Sequence, residues 1–556
     1  MNLRNLSFVL SVMVGAGCLL AGENQEILIT DIVSAADGNG WRSMSYETLD
    51  GFVGKMLYAP WGLKSRSPVR IPLHCRGRYR IFLGTAGARY FLGSAPFKML
   101  VRLERDAAPV IMDSEVLTQD AGWWAQLCEN EWKVADLEND VLVVENLHGA
   151  RGCLAWIRLV PTTDAPDENA TPTHEMIATN DAYAPVERLD ELLARIMRFK
   201  DSPVKKILFC VGNGGYSFMV PSANALTSSY DKGALYESEY ARDCALSYEM
   251  LHRKYPNLLD ILADFAHSIG LEFHVSFRTG CTVDCMRFSD PENAADVSSD
   301  QRGVCKSENF CQLWNGSPVA RFSYAKQEVQ DYFIRFYSEM LTEKVDGINL
   351  IWIRALPAML FEPAFRERFK EEYGEALSSP EDPRVVEMRK KIMLGFHRRV
   401  KRLARGKKVS LFVPSTGTVC ESFGLDVKAL AAEGLVDSIL IGDCLLNAQH
   451  REAFDDIDFN YFKTSCAGTK TDYRAFLWAG ELEKCQRAFA AGAAGVVFWD
   501  AAEKPWKSWE LMQRMTDADG SRASEWLKRN PPHSAVHPLR KLNGFDAETY
   551  PWHIAY

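Results

Sequence analysis

The stretch KQEVQDYFIRFYSEMLTEKVDGINLIWIR, Lys326–Arg354, holds both halves of a repeating unit. Val329, Phe333, Phe336 and Met340 recur at intervals of three and four, which puts them on one helix face. After a polar break, DGINLIWI is apolar nearly throughout and short, the pattern of a strand buried on both sides. An amphipathic helix that feeds a buried strand is the building block of parallel α/β folds.

The same alternation extends in both directions. Strand candidates are KKILFCV from Lys205, LEFHVSF, DGINLIWI, KVSLFVP, DSILIGD, DYRAFLW and GVVFWDA. An eighth is expected between Gly280 and Arg321. Leu258, Ile261, Leu262, Phe265 and Ile269 mark a helix with Asn257 as its cap and Gly270 as its stop; another runs through Val385, Ile392, Phe396, Val400 and Leu403. The cations of that second helix (RKK, HRR, KRLAR) would suit an anionic partner, although a solvated outer face is the simpler account. VGNGG (Val211–Gly215) lacks the spacing of a dinucleotide loop. Strand–helix repeats over roughly 320 residues without such a loop favour a (β/α)8 TIM-type barrel over a doubly wound sheet.

Upstream, EILITDIV, YRIFLGT, KMLVRLE, DVLVVENL and GCLAWIRLV are short apolar runs separated by turn residues, which predicts an N-terminal β-sandwich-like domain over 24–160. Pro161–Glu175 is rich in Pro and acids and reads as a linker, extended to 186. The barrel is expected over 187–520, with 521–556 as a tail packing on it.

The 556 residues carry a net charge of -9 and are 47% hydrophobic, so the chain can bury large cores but repels a phosphate backbone. Nucleic acid is not an expected partner. Arg4, the apolar run from Leu6 to about Leu20 and the small residues after it predict a secretory signal over 1–22, hence a secreted, periplasmic or outer-surface protein with no integral membrane segment once the signal is removed. Gly15-Ala16-Gly17-Cys18 also fits a lipoprotein box that would acylate Cys18, with Gly15 where Leu is usual. Of the 14 Cys, the group Cys281, Cys285, Cys305 and Cys311 predicts disulfides rather than zinc, because its spacings miss the CxxC knuckle and hold no His. Cys210, Cys444 and Cys466 read as buried thiols. No metal and no cofactor are expected.

In a barrel the chemistry sits at the C-terminal ends of the strands. Those ends offer Tyr216, His274, Arg278, Asn349, Trp352, Arg354, Asp443, Trp478, Glu481, Trp499 and Asp500. Aromatic faces stack on pyranose rings, and two carboxyl groups supply a proton donor and a nucleophile or base, so this set suits a carbohydrate. Asp443 and Asp500 are taken as the acid pair with Glu481 as substitute, and the others as substrate-binding residues. Several have a plainer alternative: helix caps for the aspartates, a charged first turn for Glu481, core packing for Trp478, Trp499 and His274.

AHSIGLEFHVSFRTG, the stretch from Lys326 to Arg354, FRERFKEEYG, GLDVKALAAEGLVDSILIG and AAGVVFWDA resemble secreted bacterial glycoside-hydrolase-like proteins, the family 10-type hypothetical glycosidases, and CRGRYRIFLG and LAWIRLVP resemble the β-domain before their barrel. The resemblance covers the chain from about residue 50 to the end and implies a glycosidase barrel preceded by that β-domain. In that group the strand after DGI resembles E-L-D-(F/Y)-x-R, with acids at the positions held here by Asn349 and Ile351. The second strand's Arg is followed there by Asn-Asp and a His, and here by Thr279-Gly280-Cys281. Two expectations follow: a glycoside hydrolase using other acids, or a decayed enzyme that binds glycans without cutting them. A structural surface protein with a plugged barrel mouth is a third.

Overall fold

The computed structural model describes residues 25–36, 40–60, 67–87, 97–113, 126–148, 150–163, 174–180, 186–213, 216–217, 220, 222–223, 226–227, 239–280, 304, 307–354, 356–442, 457–477, 481–503, 506–516, 520–529 and 536–547. They form two compact units. One draws on Thr173–Val186 and Pro203–Ala501, the other on Met1–Pro172, Glu187–Ser202 and Ala502–Tyr556.

The first unit is the barrel. Its strands are β1 (Glu175–Asn180), β2 (Val204–Asn213), β3 (Glu272–Arg278), β4 (Gly347–Ile351), β5 (Lys408–Val413), β6 (Ser438–Ile441), β7 (Asp472–Leu477) and β8 (Gly495–Phe498). Each pairs in parallel with the next, and β1 closes the ring by pairing with both β2 and β8. Seven of these are the strands expected from sequence. The eighth is β1, inside the stretch read as linker, and not between Gly280 and Arg321. There the described residues instead form a hairpin, Phe310–Gln312 with Pro318–Phe322, outside the barrel sheet.

Among the barrel helices are α1 (Leu258–Ser268), α2 (Gln327–Met340), α3 (Pro363–Tyr373), α4 (Arg384–Ala404) and α5 (Leu482–Ala490). Asn257 stands at the N-cap of α1, and Gly270, at φ +82°, turns the chain out of it. The cations of α4 are taken up by neighbours. Lys390, Arg398, Arg399 and Lys401 pair with Glu421, Glu433, Asp331 and Asp437 at 2.5–3.0 Å, which supports the outer-face account.

The second unit contains an antiparallel nine-stranded sheet and a four-stranded one. The C-terminal segment expected to pack on the barrel belongs here. Val536–Leu542 pairs with Arg42–Thr48 on one side and Gln126–Glu138 on the other, completing the larger sheet. No described helix is long and apolar enough to cross a membrane.

Candidate active site

The barrel interior is built in tiers by the two-residue alternation of its strands. At the N-terminal end the inward positions are charged. Arg474 of β7, 6% exposed, lies 2.9 Å from both Glu175 of β1 and Asp472. Lys206 of β2 lies 3.7 Å from Glu272 of β3, and His274 Nε2 lies 3.0 Å from the same carboxylate. The hydrogen bond from His274 holds the Glu272 carboxyl down to about 2, and burial lowers the His274 ring, which donates in its neutral form. Burial likewise lowers the Lys206 ammonium.

One inward position higher, the barrel is polar but uncharged. Ser276 Oγ donates to Asn349 Oδ1 at 2.8 Å, and Asn349 Nδ2 donates to Ser410 Oγ at 2.9 Å and to the Ser410 carbonyl at 3.3 Å. Higher again on β4 and β5, Ile351 and Phe412 join Ile177, Leu208, Ile353, Leu440, Phe476, Val497 and Trp499 in one buried apolar cluster. Trp499 meets Phe412 and Phe476 edge to face, at 5.6 and 5.8 Å between centroids.

Four expected substrate contacts are therefore parts of the core. His274 sits in the N-terminal half of β3, against the base ions, with no exposed surface. Asn349, equally buried, spends its amide on Ser276 and Ser410. Trp352 points the other way, into the helix layer, where its Nε1–H donates to His397 Nε2 at 3.1 Å and its ring packs on Tyr324 and Phe396. Trp499, 1% exposed, fills the barrel below its mouth. The period-two pattern carries the reason: 349 and 351 face inward, so 352 faces outward.

The polar groups at the mouth are fewer. Arg278 ends β3, buried, in register with Ile351 of β4. Asp500 follows β8 with φ +47°, a left-handed backbone that few non-glycine residues adopt, and its N–H donates to Thr179 Oγ1 near the end of β1 at 2.9 Å. Glu481 follows β7 at the N-cap of α5, makes no side-chain cap bond, and lies 2.6 Å from Lys484 Nζ. Thr179 escaped the sequence reading along with its strand. Arg474 left a signal that was not used: a cation inside the apolar run DYRAFL.

Asp443 and Trp478 lie outside the described residues, as do the side chains of Arg354 and Tyr216. Cys281, Cys285, Cys305 and Cys444 lie outside them as well. Cys311, expected in a disulfide, is a buried thiol whose pKa burial raises, while Cys210 and Cys466 are buried as expected. Among the described residues no group of His, Cys, Asp and Glu is placed to hold a metal ion.

No protein-family model matches the chain. No curated protein matches it either. Solved structures resemble it distantly. An alpha-galactosidase from Thermus thermophilus is 11% identical, with 86% of this chain and 95% of that one covered at a TM-score of 0.33. A beta-N-acetylhexosaminidase from Bacteroides fragilis is 8% identical over 67% and 68%, at 0.35, and TcOYE with pHBA is 12% identical over 61% and 88%, at 0.36.

Proposed function

We propose that the protein is a carbohydrate-active protein working outside the cytoplasm, a glycoside hydrolase by ancestry, with its site at the C-terminal mouth of the barrel. The observation that carries this reading is Asp500. A residue bearing a carboxyl group follows the last strand in a left-handed conformation, tied by its N–H to Thr179 of the first strand. Strained backbone of this kind concentrates at functional positions, and the strand ends are where barrels place their chemistry.

Glycoside cleavage needs a second carboxyl group to protonate the leaving oxygen while the first acts as nucleophile or base. Glu481, after the neighbouring strand, and Asp443, after β6, are the partners proposed for Asp500. Arg278 and Arg354 are proposed to hold substrate hydroxyl or anionic groups.

A second reading has its own support. Asn349 and Ile351 stand where the resembling group carries acids, and both are enclosed in the barrel interior. A protein that binds glycans without cutting them is consistent with this. One experiment separates the two: hydrolysis and binding measured over a panel of plant, algal and host glycans, with D443N, E481Q and D500N variants alongside. Hydrolysis that D500N abolishes supports the first reading. Binding without hydrolysis supports the second, and hydrolysis unchanged by D443N and D500N removes the acid assignment.

A further inference from the structure

The hairpin after β3 stands with the segments that follow the strands, on the face where barrels bind substrate. It is fastened to the segment after β4. The buried Glu362 carboxylate accepts the N–H groups of Gln312 at 3.3 Å and Leu360 at 3.0 Å and the Ser323 hydroxyl, and Phe361 N–H donates to the Gln312 carbonyl at 2.9 Å.

Trp314 lies at the hairpin tip. The Arg366 guanidinium sits 4.1 Å from the centre of its ring, and Phe361 stands perpendicular to it at 5.2 Å. Arg366 also donates to the carbonyls of Trp314 at 3.0 Å and Phe361 at 2.7 Å, so cation and ring are locked together. Yet Trp314 as a residue is only half-buried, beside Leu313, which is 45% exposed, and the exposed Asn315 and Ser317. Trp352 and Trp499 show what a packing tryptophan looks like here: fully enclosed. A tryptophan held by a cation and a perpendicular ring but not enclosed is instead a ready platform, with little rotamer freedom left to lose on binding.

Resting on the carbohydrate reading above, we infer that Trp314 stacks on a pyranose ring and that the ligand is an oligosaccharide long enough to cross the barrel mouth. The second part follows from topology. Trp314 belongs to the quadrant of β3 and β4, whereas Glu481 and Asp500 follow β7 and β8, opposite them in a ring of eight. Strands about 4.8 Å apart and tilted by about 36° make that ring roughly 15 Å across. A single sugar cannot touch both sides.

The test compares short and long oligomers of whichever panel glycan the full-length protein cuts or binds, using wild type, W314A and W314F. W314A is expected to weaken KM, or Kd where there is no turnover, about tenfold for the long oligomer. The shortest oligomer should be unaffected, and W314F should recover part of the loss. Equal melting temperatures confirm that the hairpin has not unseated the barrel. A W314A protein that handles long and short oligomers as the wild type does, or loses both equally, overturns the platform alone. A wild type that binds no glycan overturns the underlying reading and the platform with it.

Discussion

Replacing Trp499 with alanine separates a packing role from a sugar-binding one. The indole is 1% exposed and wedged between Phe412 and Phe476 in a cluster drawn from β1, β2, β4 to β8 and the turn after β4. Truncating a fully buried tryptophan costs about 3–5 kcal/mol, since the lost transfer energy is joined by the cavity left behind. The barrel unit has roughly 300 residues, and an unfolding entropy of about 2.1 cal/mol/K per residue gives about 0.6 kcal/mol/K in all, so the melting temperature should fall by about 5–8 °C. The assay is thermal and urea unfolding of W499A and W499F beside glycan binding. W499F keeps an aromatic edge against both phenylalanines and should lose much less. Where the protein stays folded, affinity for glycan should hold. A W499A protein with unchanged stability and lost affinity would refute this assignment and return Trp499 to the site.

Three further outcomes are expected. N349D puts a carboxyl group where its pKa must rise, so its stability relative to wild type should match near pH 4 and fall as pH climbs to 7, with no gain of hydrolysis; gained hydrolysis refutes the account of a closed interior. G347A places a methyl group 2.5 Å from the His274 ring and 2.6 Å from the Lys408 carbonyl, and should cost about 1–3 kcal/mol or more in urea unfolding, whereas an unchanged midpoint contradicts the packing. His397 is buried with Nδ1–H donating to the Met393 carbonyl and Nε2 accepting from Trp352, and burial pushes its pKa down to about 4. Its neutral form stabilises the fold above about 6.5, and roughly 3 kcal/mol should be lost as pH falls from there to about 4; H397F should flatten that slope in urea titrations, and an equal slope counts against the assignment.

The strands were legible where each carried its own local signal. Seven of eight are short runs of branched and aromatic residues between polar breaks. β1 offers only Met176, Ile177 and Ala178 after a Pro-rich acidic stretch, so its burial on both faces comes from neighbours far along the chain. Val536–Leu542 was unreadable for the same reason: its Pro and cations look like a tail, and its partner Tyr46 lies almost the whole sequence away from Leu542. In the site, residue types were easier to read than directions. Trp352 and Asn349 share one strand end, yet alternation sends them to opposite faces, and Arg474 stands in an apolar run as a buried cation paired with Glu175 and Asp472.

The order of tiers bears on where catalysis can reside. At the base the carboxylates reach water, with Glu175 55% and Glu272 43% exposed, while Arg474 and Lys206 are sunk among them, so the ions are only half desolvated and the cost of their burial is partly avoided. The middle tier closes on itself through Ser276, Asn349 and Ser410, and the upper tier is hydrocarbon. Among the described inward positions of β3 to β5, none above the base holds a carboxyl group. Under the proposed function, the acids of the site are therefore those of the segments after the strands, where Asp500 and Glu481 stand and where Asp443 follows β6. Loop acids gain their geometry from anchors such as the Thr179 bond to Asp500, and removing that hydroxyl should disturb Asp500 without touching the tiers beneath.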